Sequence, residues 1–287
     1  MSEQPQGRVI TVLNLKGGVG KTHTVWLLAS ICHERNLRML CIDTDAQGNL
    51  SNSFVPDRGD APGIEQLLNP ASDGDIFPLI YPTRYPTIDI VPAGPTLRQF
   101  DLADQRAWEE AELELSLVDA VNAARKKYDF IVIDCPPRLS LVSFASLTAS
   151  DAVIVPLEAA DWGAQGIVQV AKAVEYVQEN FNAKLRILGY LVSRFKSTRV
   201  YQRTYQRELR KAFGDSVFDQ VIKDTADFER AVTDAVLITE HAPNSASAGL
   251  ARRFFDEVQR RLSAQFGGSS ESSVRKDART QDQPVAA

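Results

Sequence analysis

The segment Lys16-Gly17-Gly18-Val19-Gly20-Lys21-Thr22 constrains this chain more than any other. It follows Arg8–Leu13 (RVITVL), a β-branched run that reads as a buried parallel strand. It precedes Thr22–Arg35, where Val25, Leu28, Ala29 and Cys32 recur at helical spacing. Glycines placed between a strand and a helix let the backbone curl so that its N–H groups converge on phosphate oxygens. The following helix adds its positive end to the same point. Lys21 is then placed to reach β- and γ-phosphates, and the Thr22 hydroxyl to ligate Mg²⁺. The common pattern GxxxxGK[ST] has glycine where this chain has Leu15, and a second lysine, Lys16, stands in the loop.

The β-loop-α start continues as an alternation. Strands are predicted at Met39–Ile42, Ile88–Val91, Phe130–Ile133, Ala152–Val155, Leu185–Val192 and Val217–Ile222. Helices are predicted over Leu97–Lys127 with a break near Asp101–Arg106, then over Leu141–Ala149, Ala164–Asn180, Arg199–Phe213 and Ala246–Phe266. Residues 52–63, with Pro56, Gly59, Pro62 and Gly63, read as a loop. The expected fold is α/β: a doubly wound, mostly parallel sheet with helices on both faces. One domain is expected over 7–266, between a disordered N-terminus at 1–6 and a disordered polar tail at 267–287 that is too poor in apolar residues to offset the entropy of ordering.

Composition narrows the function. Cys32, Cys41 and Cys135 form no CxxC pair, and the three histidines show no HExxH spacing, which argues against a disulfide scaffold or zinc hydrolase. No run of 18 apolar residues occurs and the N-terminus has no signal-peptide core, so the reading is of a cytoplasmic protein with no membrane span. A net charge of −5 excludes a globally basic nucleic-acid binder but leaves room for a basic face.

Two acidic segments close predicted strands: Asp43-Thr44-Asp45-Ala46-Gln47-Gly48-Asn49, and Asp134-Cys135-Pro136-Pro137. In a parallel sheet the carboxyl ends share one edge with the phosphate loop. Asp134 suits accepting hydrogen bonds from metal-bound water, Asp45 suits positioning an attacking water, and Asp43 suits supporting Thr22 or the metal waters. A lone Asp at a strand end also serves as a turn or helix cap.

Together the KGGVGKT loop, the DTDAQGN segment and the FIVIDCPP segment resemble the ParA/MinD family of deviant Walker A P-loop ATPases. The resemblance covers about 8–266 and is nearest to ParA/Soj-type partition ATPases without an N-terminal helix-turn-helix domain. It implies weak ATP hydrolysis with ATP and Mg²⁺ as cofactors, and a homodimer in the ATP state. Gly17, Gly18, Val19, Gly20, Lys21, Thr22 and His23 would surround the phosphates, and Lys16 would cross the interface to the partner's phosphates. Asp45 would act on water and Asp134 on a Mg²⁺-bound water. The resemblance further implies non-specific DNA binding, a ParB-like protein that stimulates hydrolysis, nucleoid association, and a role in positioning plasmid, chromosome or another cargo. The chain departs from the pattern at His23, where relatives carry Thr or Ser, at Leu15, and at Ile222-Lys223-Asp224-Thr225, where a proline and an arginine are missing. Ser193 and Asp224 are the candidate adenine contacts.

One segment is strongly basic. Residues 194–211 hold Arg194, Lys196, Arg199, Arg203, Arg207, Arg210 and Lys211 against Glu208 alone. On a helix Arg199, Arg203, Arg207 and Arg210 fall in a stripe about 80° wide, with Tyr201 and Tyr205 off it and expected to pack. Such a stripe suits a phosphate backbone, although a solvated helix face has the same pattern. Arg252, Arg253, Arg260 and Arg261 form a second candidate patch. Four readings compete: a ParA-like positioning ATPase for a protein cargo; a MinD-like membrane ATPase, for which the tail lacks a basic amphipathic helix; an iron–sulfur electron carrier, for which Cys135 has no suitable companion; and a nucleotide-binding scaffold that does not hydrolyse.

Overall fold

The computed structural model describes residues 7–101, 112–159 and 164–267. The expected unstructured ends lie outside this range, apart from Gly267, whose N–H bonds to the Ser263 carbonyl at 2.8 Å. In chain order the elements are β1 (Arg8–Val12), α1 (Lys21–Glu34), β2 (Met39–Asp43), α2 (Asn49–Phe54), β3 (Tyr81–Pro82), β4 (Ile88–Val91), α3 (Arg98–Asp101), α4 (Val118–Ala124), β5 (Phe130–Asp134), α5 (Leu141–Thr148), β6 (Ala152–Glu158), α6 (Ala164–Asn180), β7 (Arg186–Ser193), α7 (Val200–Phe213), α8 (Ala226–Thr233), α9 (Ile238–His241) and α10 (Ala246–Phe266).

The strands form one sheet in the order β3-β4-β2-β5-β1-β6-β7, parallel throughout except for the short antiparallel β3 edge. Both faces are covered, which explains the near-continuous apolar strands. Val9, Leu40, Ile42, Ile131, Ile133, Val153 and Val155 point into one core with α4, α5 and α6. Ile10, Val12, Met39, Cys41, Phe130, Val132 and Ile154 point into the other, with α1, α8 and α10. Each such side chain, at 0% exposure for most of them, contributes about 1.5–3 kcal/mol of transfer free energy. Among the described residues no helix is long and apolar enough to cross a membrane.

Two expectations need correction. The helix expected over Leu97–Lys127 is, where described, the short α3, a 3₁₀ turn at Leu113–Leu115 and α4, joined and followed by turns; most of the expected break falls in 102–111, outside the described residues. The strand expected at Val217–Ile222 is a pair of isolated bridges, Tyr190 to Val217 and Phe195 to Lys223. Phe218 N–H and Ile222 N–H do reach Tyr190 O and Val192 O, at 2.9 and 2.8 Å. Between them the Glu257 carboxylate of α10 accepts the N–H groups of Asp219 and Gln220, at 2.7 and 2.9 Å, and breaks the ladder.

Candidate nucleotide site

The site lies at the carboxyl edge of the sheet, where β1 sits between β5 and β6. Register fixes its members: Val12 stands opposite Asp134, and Asp134 opposite Asp43. The loop leaving β1 turns through left-handed residues at Gly18 (φ 75°) and Gly20 (φ 86°), a conformation that costs other residues about 1–2 kcal/mol. It is clamped from outside. Asn14 donates from Nδ2 to Pro156 O at 2.6 Å and accepts Lys16 N–H on Oδ1 at 2.9 Å. Ser193 donates to the Val19 carbonyl, and Arg194 Nη1 to the Gly18 carbonyl at 3.1 Å.

The two lysines of the loop differ in environment. Lys21 is buried, with Nζ donating to Lys16 O at 3.1 Å. Burial lowers its pKa, against the opposing pull of Asp134 and Asp45. Lys16 points outward with its side chain 44% exposed and its Nζ 3.4 Å from Glu158.

Thr22 Oγ1 donates to Asp134 Oδ2 at 2.6 Å. The other oxygen, Asp134 Oδ1, is buried and has no partner. Burial raises the Asp134 pKa, repulsion from Asp43 adds to it, and Thr22 and Lys21 oppose it. A hydroxyl and an orphaned carboxylate oxygen fit Mg²⁺ held largely through water and substrate phosphates, and the buried ammonium of Lys21 fits the phosphates themselves. Asp43 does not join them. Its Oδ2 accepts both Ser51 N–H (2.8 Å) and Ser51 Oγ–H (2.6 Å), and its Oδ1 accepts Asp45 N–H (3.1 Å). Burial pushes Asp43 up to about 6 against those bonds. Both Asp43 oxygens are thus engaged within the protein, where they anchor the turn that carries Asp45.

Asp45 lines a cleft of about 840 Å³ that also takes in Gly17, Gly18, Gly20, Lys21, Thr22, His23, Arg194 and Asp224. Asp224 is held by Lys196 at 3.0 Å. Ser193 is 1% exposed and bonds the Val19 carbonyl, so it buttresses the loop. Trp26, Phe228, Val232 and Thr233 line the cleft as well, and the sequence carried no signal for them beyond Trp26 lying one turn past Thr22. Burial pulls His23 down to about 4, with Arg194 adding to the effect and Asp224 opposing it. Cys135 is buried, its thiol pushed up to about 12 by that burial, which does not suit an exposed cluster ligand.

The basic segment divides. Arg194, in a left-handed conformation (φ 49°), belongs to the cleft, and Lys196 is paired with Asp224. Arg199 caps α7 from outside, and Arg203 bonds to Ser197 O. Arg210 is tied to Asp219 and Phe218 O, leaving Arg203, Arg207 and Lys211 as the exposed cations of α7. Tyr205 packs on the core, but Tyr201 is 51% exposed. The second candidate patch is internally bonded: Arg252 to Glu34, Arg253 to Gln220, Arg260 to Asp219, and Arg261 to Glu257.

The chain matches the AAA domain family model AAA_31 across residues 7–187. It is 31% identical over 250 residues to the sporulation initiation inhibitor protein Soj of Bacillus subtilis, covering 84% of this chain and 94% of that one. It is 33% identical over 218 residues to the chromosome partitioning protein ParA of Myxococcus xanthus, covering 75% of each. Its fold matches cobyrinic acid a,c-diamide synthase from Mycobacterium smegmatis, solved with a bound ATP analogue and magnesium, at a TM-score of 0.75 and 26% identity over 91% of this chain and 97% of that one. ATP and Mg²⁺ are accordingly the cofactors to which Lys21, Thr22 and the orphaned Asp134 oxygen are suited. With these relatives and this loop, the chain belongs to the ParA/MinD family of P-loop partition ATPases.

Proposed function

We propose that this protein is an ATP-driven partition switch: two copies clasp two ATP molecules, the dimer binds DNA without sequence preference, and a ParB-like partner stimulates hydrolysis and release. The observation that carries this reading is the divergence of the two loop lysines. Lys21 is buried and turned back onto its own loop, whereas Lys16 points away from that loop with its side chain 44% exposed, which supports a reach toward phosphates held by a second copy. The turn bearing Asp45 is fixed through Asp43 and Ser51, which suits its carboxylate to orient the attacking water without reorganisation at the moment of reaction. Thr22 and Asp134 would hold Mg²⁺, which when bound neutralises phosphate charge. The exposed cations of α7 are the candidate DNA face, and nucleoid association would follow from it. A dimer that covers about six phosphates gives a log–log salt slope near −5.

The test is sedimentation and ATP turnover of the full chain with and without DNA. Wild type should turn over weakly and dimerise only with ATP. Asp45→Ala should lose turnover and remain an ATP-bound dimer. Lys16→Ala should fold and bind ATP but sediment as a monomer. A protein that stays monomeric in every nucleotide state overturns the clasp, and a Lys16→Ala variant that dimerises like wild type removes that lysine from it.

A further inference from the structure

The cleft is chemically divided. Its floor is the glycine loop, with Gly17, Gly18, Gly20, Lys21 and Thr22 lining it, a composition that suits phosphate. Its α8 side presents Asp224, Phe228, Val232 and Thr233, a mixture of apolar surface and polar edges that suits a planar heterocycle on a sugar. His23 stands at the junction. It directly follows Thr22 in the first turn of α1, and its ring meets that of Phe228 edge-on, with centroids 4.8 Å apart and planes at 72°. Both rings line the cleft, but Phe228 is only 4% exposed whereas His23 is half-buried, so the imidazole is the part of this pair that offers more surface to a ligand.

The pair is built to stay in place. Thr225 caps α8 by accepting Phe228 N–H at 3.3 Å. Ser247 of α10 bonds both Thr225 and Asp227, each at 3.0 Å, and fixes the start of α8 to the body. On the other side Trp26, one turn beyond His23, stacks on Phe54 at 4.5 Å and also lines the cleft. We infer that His23, backed by Phe228, is the residue that recognises the nucleoside end of the bound nucleotide, forming the wall against which ribose and base rest. The inference rests on the reading that the loop holds a triphosphate.

The experiment compares two probes on the full chain by calorimetry with Mg²⁺: ATP, and inorganic tripolyphosphate, which has no nucleoside. Wild type should bind both, ATP more tightly. His23→Ala should weaken ATP about tenfold, the size of one aromatic contact, and leave tripolyphosphate unchanged. Phe228→Leu, which keeps apolar bulk in the core, should shift ATP in the same direction by a smaller factor, and serves where His23→Ala does not fold. Equal weakening of both probes would make His23 a phosphate-loop residue and overturn the inference. So would unchanged ATP binding in both variants. A wild type that binds neither probe would overturn the triphosphate reading itself, a different pattern of failure.

Discussion

Glu257 offers a perturbation whose size follows from geometry. It is 3% exposed on α10, accepts the N–H groups of Asp219 and Gln220, and receives Arg261 at 2.9 Å. Glu257→Ala leaves two partly buried N–H groups unpaired, at about 1 kcal/mol each, toward the low end for such groups. It also removes a charge-assisted bond to Arg261, worth about 1.5 kcal/mol. Arg261 keeps the carbonyls of Asp215 and Val217, at 2.8 Å each, so the loss on that side is not larger. The expected cost is about 3.5 kcal/mol. Glu257→Gln keeps the shape and one acceptor oxygen, so about half that cost is expected. The assay is urea denaturation at neutral pH, where about 3.5 kcal/mol lowers the midpoint by roughly 1.2–1.8 M at a slope of about 2–3 kcal/mol/M. Amide exchange should quicken at Asp219 and Gln220 before it does in β7. An Ala variant within 0.5 kcal/mol of wild type, or a Gln variant as costly as Ala, would refute the assignment of Glu257 as the group that ends the ladder.

Three further outcomes are expected. Gly18→Ala should destabilise the fold by about 1–2 kcal/mol through its left-handed backbone, whereas Gly17→Ala, with open space around a built Cβ, should be nearly neutral in thermal melts. Chelating Mg²⁺ should weaken ATP binding in wild type, and Thr22→Ala should blunt that response, as titration calorimetry with and without a chelator would show. Arg203→Glu with Arg207→Glu should reduce DNA binding and flatten the salt slope by about two per protomer that contacts DNA, while Arg252→Glu, whose partner is Glu34 and not solvent, should leave the slope unchanged and lower stability instead.

The phosphate side of the site was legible because its residues are contiguous and each obeys a local rule. Glycines take the left-handed turns, a lysine and a threonine open the helix, and aspartates end β5 beside β1 and β2 beyond it. The nucleoside side was not. Phe228 and Val232 lie two hundred residues beyond the loop on a short helix whose apolar spacing reads as ordinary core packing, and that helix is seated on α10 through Thr225 and Ser247. Asp43 and Ser193 show the converse. Both sit at strand ends beside the loop, where residue type alone suggests ligand contact. Their hydrogen bonds are decided by which neighbour is nearer, Ser51 for one and Val19 O for the other, and one-dimensional spacing does not hold that information.

The basic segment shows why charge in sequence is a weak guide to charge available to a partner. Residues 194–211 and the arginines of α10 looked alike as clusters, yet the structure separates them by what each guanidinium meets. In α10 the arginines reach Glu34, Asp219, Glu257 and backbone carbonyls, and act as links between helix and sheet edge. In α7 the helix buries Gln202 and Leu209 against the body, and that orientation turns Arg203 and Arg207 outward. Glu208, the one acidic residue among them, is engaged by Arg207 at 3.5 Å and Lys211 at 3.0 Å, contacts that are fully solvated and contribute little to holding the fold. Cations with so little internal compensation raise the electrostatic cost of one another, and an incoming polyanion relieves it. The same reasoning assigns no such gain to Arg252, Arg260 and Arg261 of α10, whose compensating acids are already in place.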